Sequence, residues 1–405
     1  MSYNYKPLFI IKNFSLDTNP GGIQSRRFVN ALLKEGIKPE IFCLNIKNQN
    51  QMLSKDEIKI HYVNELPHKY LFSITRRLFP DILYLPDIQR FTFLPLLKKK
   101  LNSLSLNEFD WIHTVSFSCS SHLAGLYLKS KINLPWVAQF YDPWVGNCYR
   151  KYKTNFFRKL DEKIEYQVAI NADLIIHTNE IIKKDWERRY GEIVKNKIFV
   201  LPFSYDVKSP VMNDAKPKNK KKKRILYAGN LYLDRNLEDI IKTLKILKTK
   251  VPDLEEKIEF VFIGNVPSSD KISVTANNLN NLFVFLGQKP YKELSEYYNN
   301  ADLLLVIDAP AKENLFFPSK LIEYFLYQKP ILGISPTISA THDLLSESGH
   351  TWIENGDISK MVEYFMTLLN NYDAFLKFDH HYYQKFSPEQ LGSEYLKLVE
   401  TFILK

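Results

Sequence analysis

The sequence has only three cysteines, Cys43, Cys119 and Cys148, and they are far apart. An odd number of scattered cysteines gives no indication of a disulfide framework or of a zinc cluster. We therefore expect a reducing, cytosolic environment for this chain.

Long hydrophobic runs are also missing. The longest, such as residues 303–307, have the length of a strand, and residues 1–7 are polar with no apolar stretch behind them. A membrane-spanning helix needs about 20 apolar residues, and a secretion signal needs an apolar centre. We expect a protein that is neither secreted nor integral to a membrane.

What is present is a globular composition. The 405 residues are 45% hydrophobic and 14% aromatic, and a chain of this length most often forms two domains. The formal net charge of +10 suits a nucleic acid, an anionic membrane surface or a phosphorylated substrate. Charge alone does not choose among these partners.

Short apolar runs alternate with helical patterns in the first half of the chain. This alternation predicts a parallel sheet covered on both faces, whose ligand lies beyond the carboxyl ends of the strands. We expect His113, Asp142 and His177 at or near such ends. The predicted strands are 8–12, 40–44, 58–63, 111–115, 136–141, 174–177 and 198–203.

The second half repeats the pattern, with predicted strands at 225–229, 258–264, 282–287, 303–307 and 331–334. Three of these strands end in a glycine: Gly229, Gly264 and Gly287. Glycines at strand ends leave room for a nucleotide to pass close to the backbone. The lysine-rich run at 216–224 is typical of an exposed linker.

These patterns predict an α/β protein with domains at 1–205 and 224–385, joined by a linker at 206–223. The segment that begins Ser387-Pro388-Glu389-Gln390 has the pattern of a capping box, and predicts a helix within a last segment at 386–405.

The stretch from Phe317 to Glu323 holds the most informative motif. Pro318 and Ser319 predict a helix start with Ser319 as its cap, which places Lys320 in the first turn. A cation there opposes the helix dipole unless an anion binds at the same place. Glu323 falls on the same face as Lys320, so the motif suits a phosphate next to a pair of hydroxyls. An ordinary surface pair of these two residues is the alternative.

This motif resembles the donor-binding helix of the family-four glycosyltransferases of the GT-B fold. The resemblance implies two Rossmann-like domains that face each other across a cleft, with a C-terminal helix that crosses back to the first domain. In such enzymes the serine–lysine turn meets the diphosphate of a nucleotide sugar, and the glutamate binds the ribose hydroxyls.

Other motifs extend the resemblance. The loop from Asn230 to Asn236 matches the family loop whose basic residue, here Arg235, clamps the diphosphate, and the early glycine pair matches the loop that faces it. We therefore expect Arg235 and Lys320 to be catalytic. The predicted donor-binding residues are Gly21, Gly22, Gly229, Asn230, Gly264, Gly287, Pro318, Ser319, Leu321 and Glu323.

The acceptor side is expected around Asp142-Pro143-Trp144. Family members often carry a histidine at the end of the preceding strand, where this chain has Tyr141, and some continue as Asp-x-Trp. Asp142 is either a third catalytic residue or the cap of a Pro-Trp turn. The predicted acceptor-side residues are Tyr141, Trp144 and His113.

The chain departs from the family pattern at Leu315, where a second acidic residue usually stands eight positions before the glutamate; Glu313 lies ten before. That carboxylate usually touches the transferred sugar. No Asp-x-Asp occurs, which argues against the other large glycosyltransferase fold, with its divalent metal. We expect no metal site and no cofactor besides the donor substrate.

Residues 76–100 interleave basic and aromatic side chains. The segment either lies on an anionic membrane at the inner face, close to a lipid-linked acceptor, or packs on the sheet with a charged outer face. Three prolines interrupt it, which favours packing.

The resemblance as a whole implies a retaining glycosyltransferase that moves a sugar from a nucleotide diphosphate sugar to a hydroxyl of a glycan or lipid-linked acceptor, as in cell-surface polysaccharide biosynthesis. No nucleic-acid partner is expected. A catalytically silent sugar-binding or assembly subunit of the same fold, and a nucleotide-sugar epimerase, remain as alternatives.

Overall fold

The computed structural model describes residues 5–14, 20–45, 58–67, 77–116, 118–147, 150–206, 222–232 and 234–404. The chain divides into unit 1, residues 1–206 with 386–405, and unit 2, residues 207–385. Residues 207–221, most of the predicted linker, lie outside the described part of the chain. Helices and strands are numbered below in chain order.

Unit 1 is built on a seven-stranded parallel sheet with the order β3-β2-β1-β4-β5-β6-β7. All residues of β1, β2, β4, β5 and β6 are buried, which explains why these strands read as continuous apolar runs. All seven predicted strands are confirmed. They are β1 (Leu8–Ile11), β2 (Glu40–Leu44), β3 (Ile60–Val63), β4 (Ile112–Ser116), β5 (Trp136–Phe140), β6 (Leu174–His177) and β7 (Ile198–Val200).

Helices connect these strands. The local sequence explains some of their starts; for example, the Asn179 side chain caps one helix by accepting hydrogen bonds from the N–H groups of Ile181 and Ile182. The helices of unit 1 are α1 (Pro20–Lys34), α2 (Gln89–Thr92), α3 (Leu94–Leu101), α4 (Ser120–Lys129), α5 (Asn155–Asn171), α6 (Glu180–Tyr190), α7 (Glu192–Lys195) and α15 (Pro388–Phe402).

Helix α3 belongs to the basic, aromatic segment of the sequence. It buries Leu94, Leu97 and Leu101, and the Lys100 ammonium donates a hydrogen bond to the carbonyl of Tyr62. This part of the segment therefore packs on unit 1, which agrees with the interpretation that it packs on the sheet with a charged outer face.

The C-terminal helix α15 packs on unit 1. Ser387 caps it by accepting from the N–H of Gln390, whereas the Gln390 side chain bonds to Glu394, so only half of the predicted capping box forms. A Cβ added at Gly392 would lie 2.9 Å from the carbonyl oxygen of Ala31 in α1. The two helices are therefore in close contact.

Unit 2 contains a six-stranded parallel sheet with the order β10-β9-β8-β11-β13-β15. Five of these strands match predicted ones, and β15 has no predicted counterpart. A separate pair joins β12 (Glu313–Asn314) to β14 (Ile338–Ser339). The main strands are β8 (Lys223–Ala228), β9 (Ile258–Ile263), β10 (Phe283–Gly287), β11 (Leu303–Ile307), β13 (Ile331–Ser335) and β15 (Thr351–Glu354).

Helices connect the strands of this second sheet, and some of them share one apolar core with the strands. They are α8 (Glu238–Lys250), α9 (Leu254–Lys257), α10 (Ser268–Ala276), α11 (Leu294–Asn300), α12 (Lys320–Leu326), α13 (Ala340–Glu347) and α14 (Ile358–Asn370). The predicted architecture of two Rossmann-like parallel sheets is thus confirmed. In the described part of the chain, no helix combines the length and apolar character needed to cross a membrane.

Candidate functional site

The strand order of the sheet in unit 2 reverses at β8 and β11. From β8 the chain proceeds to β9 and β10 on one side, and then returns to β11 and β13 on the other. Ligands of open α/β sheets bind beyond the carboxyl ends of the strands at such a reversal. Gly229 and Asp308 are the first residues after β8 and β11, so they mark the candidate site.

The three predicted strand-end glycines meet at this edge. The Gly229 N–H donates to the carbonyl of Ile263, and the Gly264 N–H donates to the carbonyl of Gly287. Gly264 has a φ of +118°, and a Cβ there would lie 2.2 Å from the Gly229 carbonyl oxygen. Only glycine fits this approach of two loops.

Asn230 ties the same loops together. Its side-chain oxygen accepts a hydrogen bond of 2.7 Å from the N–H of Asn265, and its carbonyl accepts one from the Tyr227 hydroxyl. The predicted donor-binding residue Asn230 therefore shapes the edge of the site through the loop after β9.

Helix α12 begins at Lys320, as the sequence predicts. Ser319, however, has a helical backbone, and within the described residues its side chain accepts no hydrogen bond from the first turn, so its predicted role as a cap is wrong. The turn is held instead by the Leu321 N–H, which donates to the Pro318 carbonyl. Pro318 and Leu321 are buried and support the helix start.

The Lys320 side chain reaches β8. Its ammonium nitrogen lies 3.8 Å from the centroid of the Tyr227 ring, and a Cβ on Gly229 would lie 2.7 Å from this nitrogen. The missing side chain at Gly229 thus leaves the space that the ammonium occupies. Burial, reinforced by the nearby Arg235 guanidinium and opposed by Asp308, lowers the pKa of Lys320 to about 7.

Asp308 was not predicted as a site residue. It is buried, lies 3.9 Å from the Arg235 guanidinium, and accepts a hydrogen bond from the Thr341 hydroxyl. Burial raises the pKa of Asp308, while Arg235, Thr341 and Lys320 oppose the rise. One carboxylate therefore faces both of the predicted catalytic cations. The signal in the sequence is an acidic residue directly after a strand of five apolar residues.

Arg235 is largely buried, and its guanidinium carbon lies 4.9 Å from the centroid of the Tyr232 ring. The aromatic face and Asp308 hold the guanidinium at the strand edge. Arg235 and Lys320, which are 85 positions apart in the sequence, are therefore brought together beside a single carboxylate.

Glu323 lies three residues beyond Lys320 on α12 and is partly exposed. One of its oxygens accepts a hydrogen bond of 3.0 Å from the Tyr291 hydroxyl. Tyr291 follows β10, whose end carries Gly287. A carboxylate held by a hydroxyl at this edge is suited to accept hydrogen bonds from a pair of ligand hydroxyls.

The departure from the family pattern is evident in the structure. Leu315 is buried, and Glu313 lies in the short strand β12.

A cavity of about 190 Å³ borders Asp308 on the side of α8 and β15. It is smaller than the pockets of about 300 to 1,000 Å³ that enclose whole small molecules, so it has room for only part of a nucleotide sugar. Its polar lining includes Asn236, Asp239 and Asn355.

In unit 1 the predicted glycine pair opens a helix. Gly21 and Gly22 are buried in the first turn of α1, which begins at Pro20. Residues 15–19, the loop before this helix, lie outside the described residues. The strand, glycine turn and helix occur in the predicted order, and contact of the glycines with a diphosphate stays a prediction.

Asp142 follows β5 at the carboxyl edge of the sheet in unit 1 and is partly exposed. Its neighbour Tyr141 is buried; the Tyr141 N–H donates to Ser116, and its carbonyl accepts from Thr178. Burial raises the pKa of the Tyr141 phenol, so it stays protonated. The backbone of Tyr141 thereby positions Asp142 between the ends of β4 and β6.

Trp144 has no exposed surface. Its indole N–H donates a hydrogen bond of 2.8 Å to Asp161 in α5, which also pairs with Arg150, and the Val145 N–H donates to Glu165. Trp144 therefore anchors the loop that carries Asp142 to α5, and any effect it has on an acceptor acts through that loop.

The expected position of His113 is wrong. It is the second residue of β4, opposite Phe9 of β1, and not at a carboxyl end. Its ring stacks on Phe9 and makes hydrogen-bond contacts with Tyr395 and Gln139. Burial lowers the pKa of His113 to about 3, so it is neutral and links α15 to the sheet. His177, in contrast, ends β6 as predicted.

Two family models match the chain. Residues 22–208 match the model described as Glycosyltransferase Family 4, and residues 210–385 match the model described as Glycosyl transferases group 1. None of the curated proteins matches the chain in sequence.

Solved structures of glycosyltransferases have the same fold along nearly the whole chain. Sucrose-phosphate synthase from Thermosynechococcus elongatus is 16% identical with a TM-score of 0.69, and 98% of each chain is covered. HepE from Anabaena, solved with UDP-glucose, is 12% identical with a TM-score of 0.67, over 98% of this chain and 99% of that one. The lipopolysaccharide outer core galactosyltransferase WaaB is 15% identical with a TM-score of 0.62, over the same shares.

Proposed function

Since this chain belongs to the GT-B glycosyltransferases of the family-four type, we propose that it transfers a sugar from a nucleotide diphosphate sugar to a hydroxyl group with retention of the anomeric configuration. The acceptor we propose is a glycan or a lipid-linked saccharide of cell-surface polysaccharide biosynthesis. Likeness to the lipopolysaccharide outer core galactosyltransferase WaaB supports this class of acceptor.

One observation carries the proposal: Lys320 and Arg235 converge at the reversal point of the sheet, next to the backbone of Gly229. The two cations repel each other and share one buried carboxylate. Binding of an anion with more than one negative charge is therefore favourable at this place. A diphosphate has this charge and would lie beyond the end of β8, beside Gly229.

The proposed roles follow from this geometry. The bond from the anomeric carbon to the diphosphate breaks, and its electron pair leaves with the phosphate oxygen, where Lys320 and Arg235 offset the growing charge. Glu323 accepts hydrogen bonds from the ribose hydroxyls. The acceptor oxygen forms the new bond to the anomeric carbon while its O–H bond breaks and the proton passes to the departing phosphate oxygen. Asp142 is assigned to the acceptor side, and no metal takes part.

We propose a uridine diphosphate sugar as the donor. The support is the likeness to HepE, which was solved with UDP-glucose. The test is incubation of the protein with UDP-glucose, UDP-galactose and UDP-N-acetylglucosamine in the absence of acceptor, with EDTA present. Slow release of UDP from one donor supports the proposal.

The same incubation separates the alternatives. An epimerase would interconvert the sugars of the donors without release of UDP. A catalytically silent subunit would bind a donor and leave it intact. Absence of both binding and UDP release across a wider panel with other nucleotides would contradict the proposed function.

A further inference from the structure

Unit 1 exposes a group of large apolar side chains. Leu78, Phe79 and Tyr84 are 63%, 56% and 48% exposed, and Phe156, the second residue of α5, is 70% exposed. Single exposed apolar residues are common, whereas a concentration of them marks a binding surface. Three of these four are next to or within one short turn, Pro80–Tyr84.

The two segments that carry these side chains are joined. The Asp81 carboxylate, which is buried, accepts hydrogen bonds of 2.8 and 3.2 Å from the N–H groups of Lys153 and Thr154. The Arg150 guanidinium also donates to the carbonyl of Pro86. The start of α5 is therefore fixed beside the turn Pro80–Tyr84, which brings Phe156 to the same region as Phe79.

The same two segments carry exposed cations: Arg77, Lys151, Lys153, Arg158 and Lys159. The described segments 77–86 and 150–163 contain seven basic residues and three acidic ones. Asp81 and Asp161 are buried, and Asp161 is paired with Arg150. Glu162 forms an ion pair of 3.4 Å with Arg158. The surface is therefore basic as well as apolar.

The position of this surface relates it to the candidate acceptor side. Helix α5 follows β5, and the connection between them begins with Tyr141 and Asp142 at the carboxyl edge of the sheet. Arg150, in the same connection, pairs with Asp161 of α5 and bonds to Pro86. The connection that carries Asp142 therefore also leads to the segment that carries Phe156 and is bonded, through Arg150, to Pro86.

We propose that this surface, formed by the four apolar residues and the five cations, binds the surface of an anionic lipid bilayer. Aromatic and aliphatic side chains enter the boundary between headgroups and acyl chains, while lysine and arginine contact anionic headgroups. The centre of a protein interface is depleted of charged residues, whereas here cations are interleaved with the apolar side chains. Charge complementarity therefore favours a lipid surface as the occupant.

The test is co-sedimentation of the full-length protein with vesicles. One set contains phosphatidylcholine alone, and the other contains phosphatidylcholine with about 30% phosphatidylglycerol. We expect binding to the anionic vesicles that weakens at high salt, and little binding to the neutral ones. Two double variants test the surface: Phe79→Ser with Phe156→Ser, and Lys153→Glu with Lys159→Glu. Each should lower the partition constant of the protein onto anionic vesicles about tenfold or more.

Matched controls come from unit 2. Ile272→Ser removes an apolar side chain that is 68% exposed, and Lys245→Glu with Lys250→Glu reverses two exposed charges. These variants should bind anionic vesicles like the wild type. Circular dichroism and thermal unfolding confirm that each variant is folded.

Three outcomes would overturn the proposal. The first is that the wild type fails to sediment with anionic vesicles at low salt. The second is that the control variants lose as much binding as the test variants. The third is that the protein binds neutral and anionic vesicles equally. Sedimentation velocity of the protein alone distinguishes a protein interface: self-association that is lost in Phe79→Ser with Phe156→Ser, without vesicle binding, would assign the surface to a second copy of the chain.

Discussion

The ammonium nitrogen of Lys320 lies 3.8 Å from the centroid of the Tyr227 ring, so a cation from α12 rests on an aromatic face of β8. This contact links the helix that starts after Ser319 to the strand that ends before Gly229. The contact with Tyr227 holds the Lys320 ammonium at the position where we propose that the donor diphosphate binds.

The Tyr227 ring should therefore contribute to donor binding. We expect Tyr227→Leu to weaken UDP binding about fivefold to thirtyfold, because a cation over an aromatic face gains about 1 to 2 kcal/mol when it is shielded from water. Tyr227→Phe keeps the ring, loses the hydroxyl contact with the Asn230 carbonyl, and should bind almost normally. Calorimetry measures both. Equal losses in the two variants would contradict a role for the ring.

UDP binding should depend on pH through Lys320. The pKa of this lysine is lowered to about 7 in the free protein, and a bound diphosphate raises it, so binding above pH 7 takes up a proton. We expect the affinity to fall about tenfold per pH unit above that point. Calorimetry in buffers of different ionisation enthalpy counts the proton. In Lys320→Met the dependence should vanish; its persistence would assign the titration to another group.

Asp308 should position the two cations. We expect Asp308→Asn to lower turnover about tenfold, as loss of a charged hydrogen-bond partner does. Without this carboxylate the pKa of Lys320 falls further, so the loss of UDP affinity with rising pH should begin at lower pH. Asp253→Asn is the control, since Asp253 is a half-exposed carboxylate of the same unit that does not line the cavity. A pH dependence unchanged in Asp308→Asn would exclude this role.

Glu323 should recognise the ribose. Its replacement by alanine removes a charged acceptor, and we expect UDP binding to weaken by about 1 to 3 kcal/mol. The wild type should prefer UDP to its 2′,3′-dideoxy analogue, and Glu323→Ala should bind both equally. Should the variant retain that preference, the ribose is bound by other residues.

Much of the fold follows from the sequence because buried parallel strands leave short apolar runs that end at polar or glycine residues. This pattern identifies Gly229, Gly264 and Gly287; in the structure the Gly264 N–H bonds to the Gly287 carbonyl, and Gly264 packs against the Gly229 carbonyl. The strand β15 escaped prediction because its sequence, Thr-Trp-Ile-Glu, is short and only one of its residues is buried.

The candidate site was harder to predict where it depends on pairing between distant segments. Asp308 becomes significant only when β11 lies beside β8 and Arg235 folds over it, and local sequence does not show this. His113 was misplaced because a histidine in an apolar run suggests a strand end, whereas here a contact with Tyr395, 282 positions later, satisfies its ring within the strand.

The central claim is that Lys320 and Arg235 stabilise the departing diphosphate. If Lys320 and Arg235 stabilise charge that grows on the departing diphosphate, their removal should reduce turnover far more than donor affinity. We expect Lys320→Ala and Arg235→Ala each to lower turnover about a hundredfold or more, without rescue by magnesium. Lys245→Ala, an exposed lysine of α8, is the control.

The decisive measurement is the turnover number of Lys320→Ala and Arg235→Ala with the donor that the wild type uses, alongside the affinity for UDP. If the two cations stabilise the departing diphosphate, we expect turnover to fall about a hundredfold or more in both variants, with donor binding retained in part. Wild-type turnover in both folded variants would contradict it, because the diphosphate would then have to lie away from Gly229 and α12.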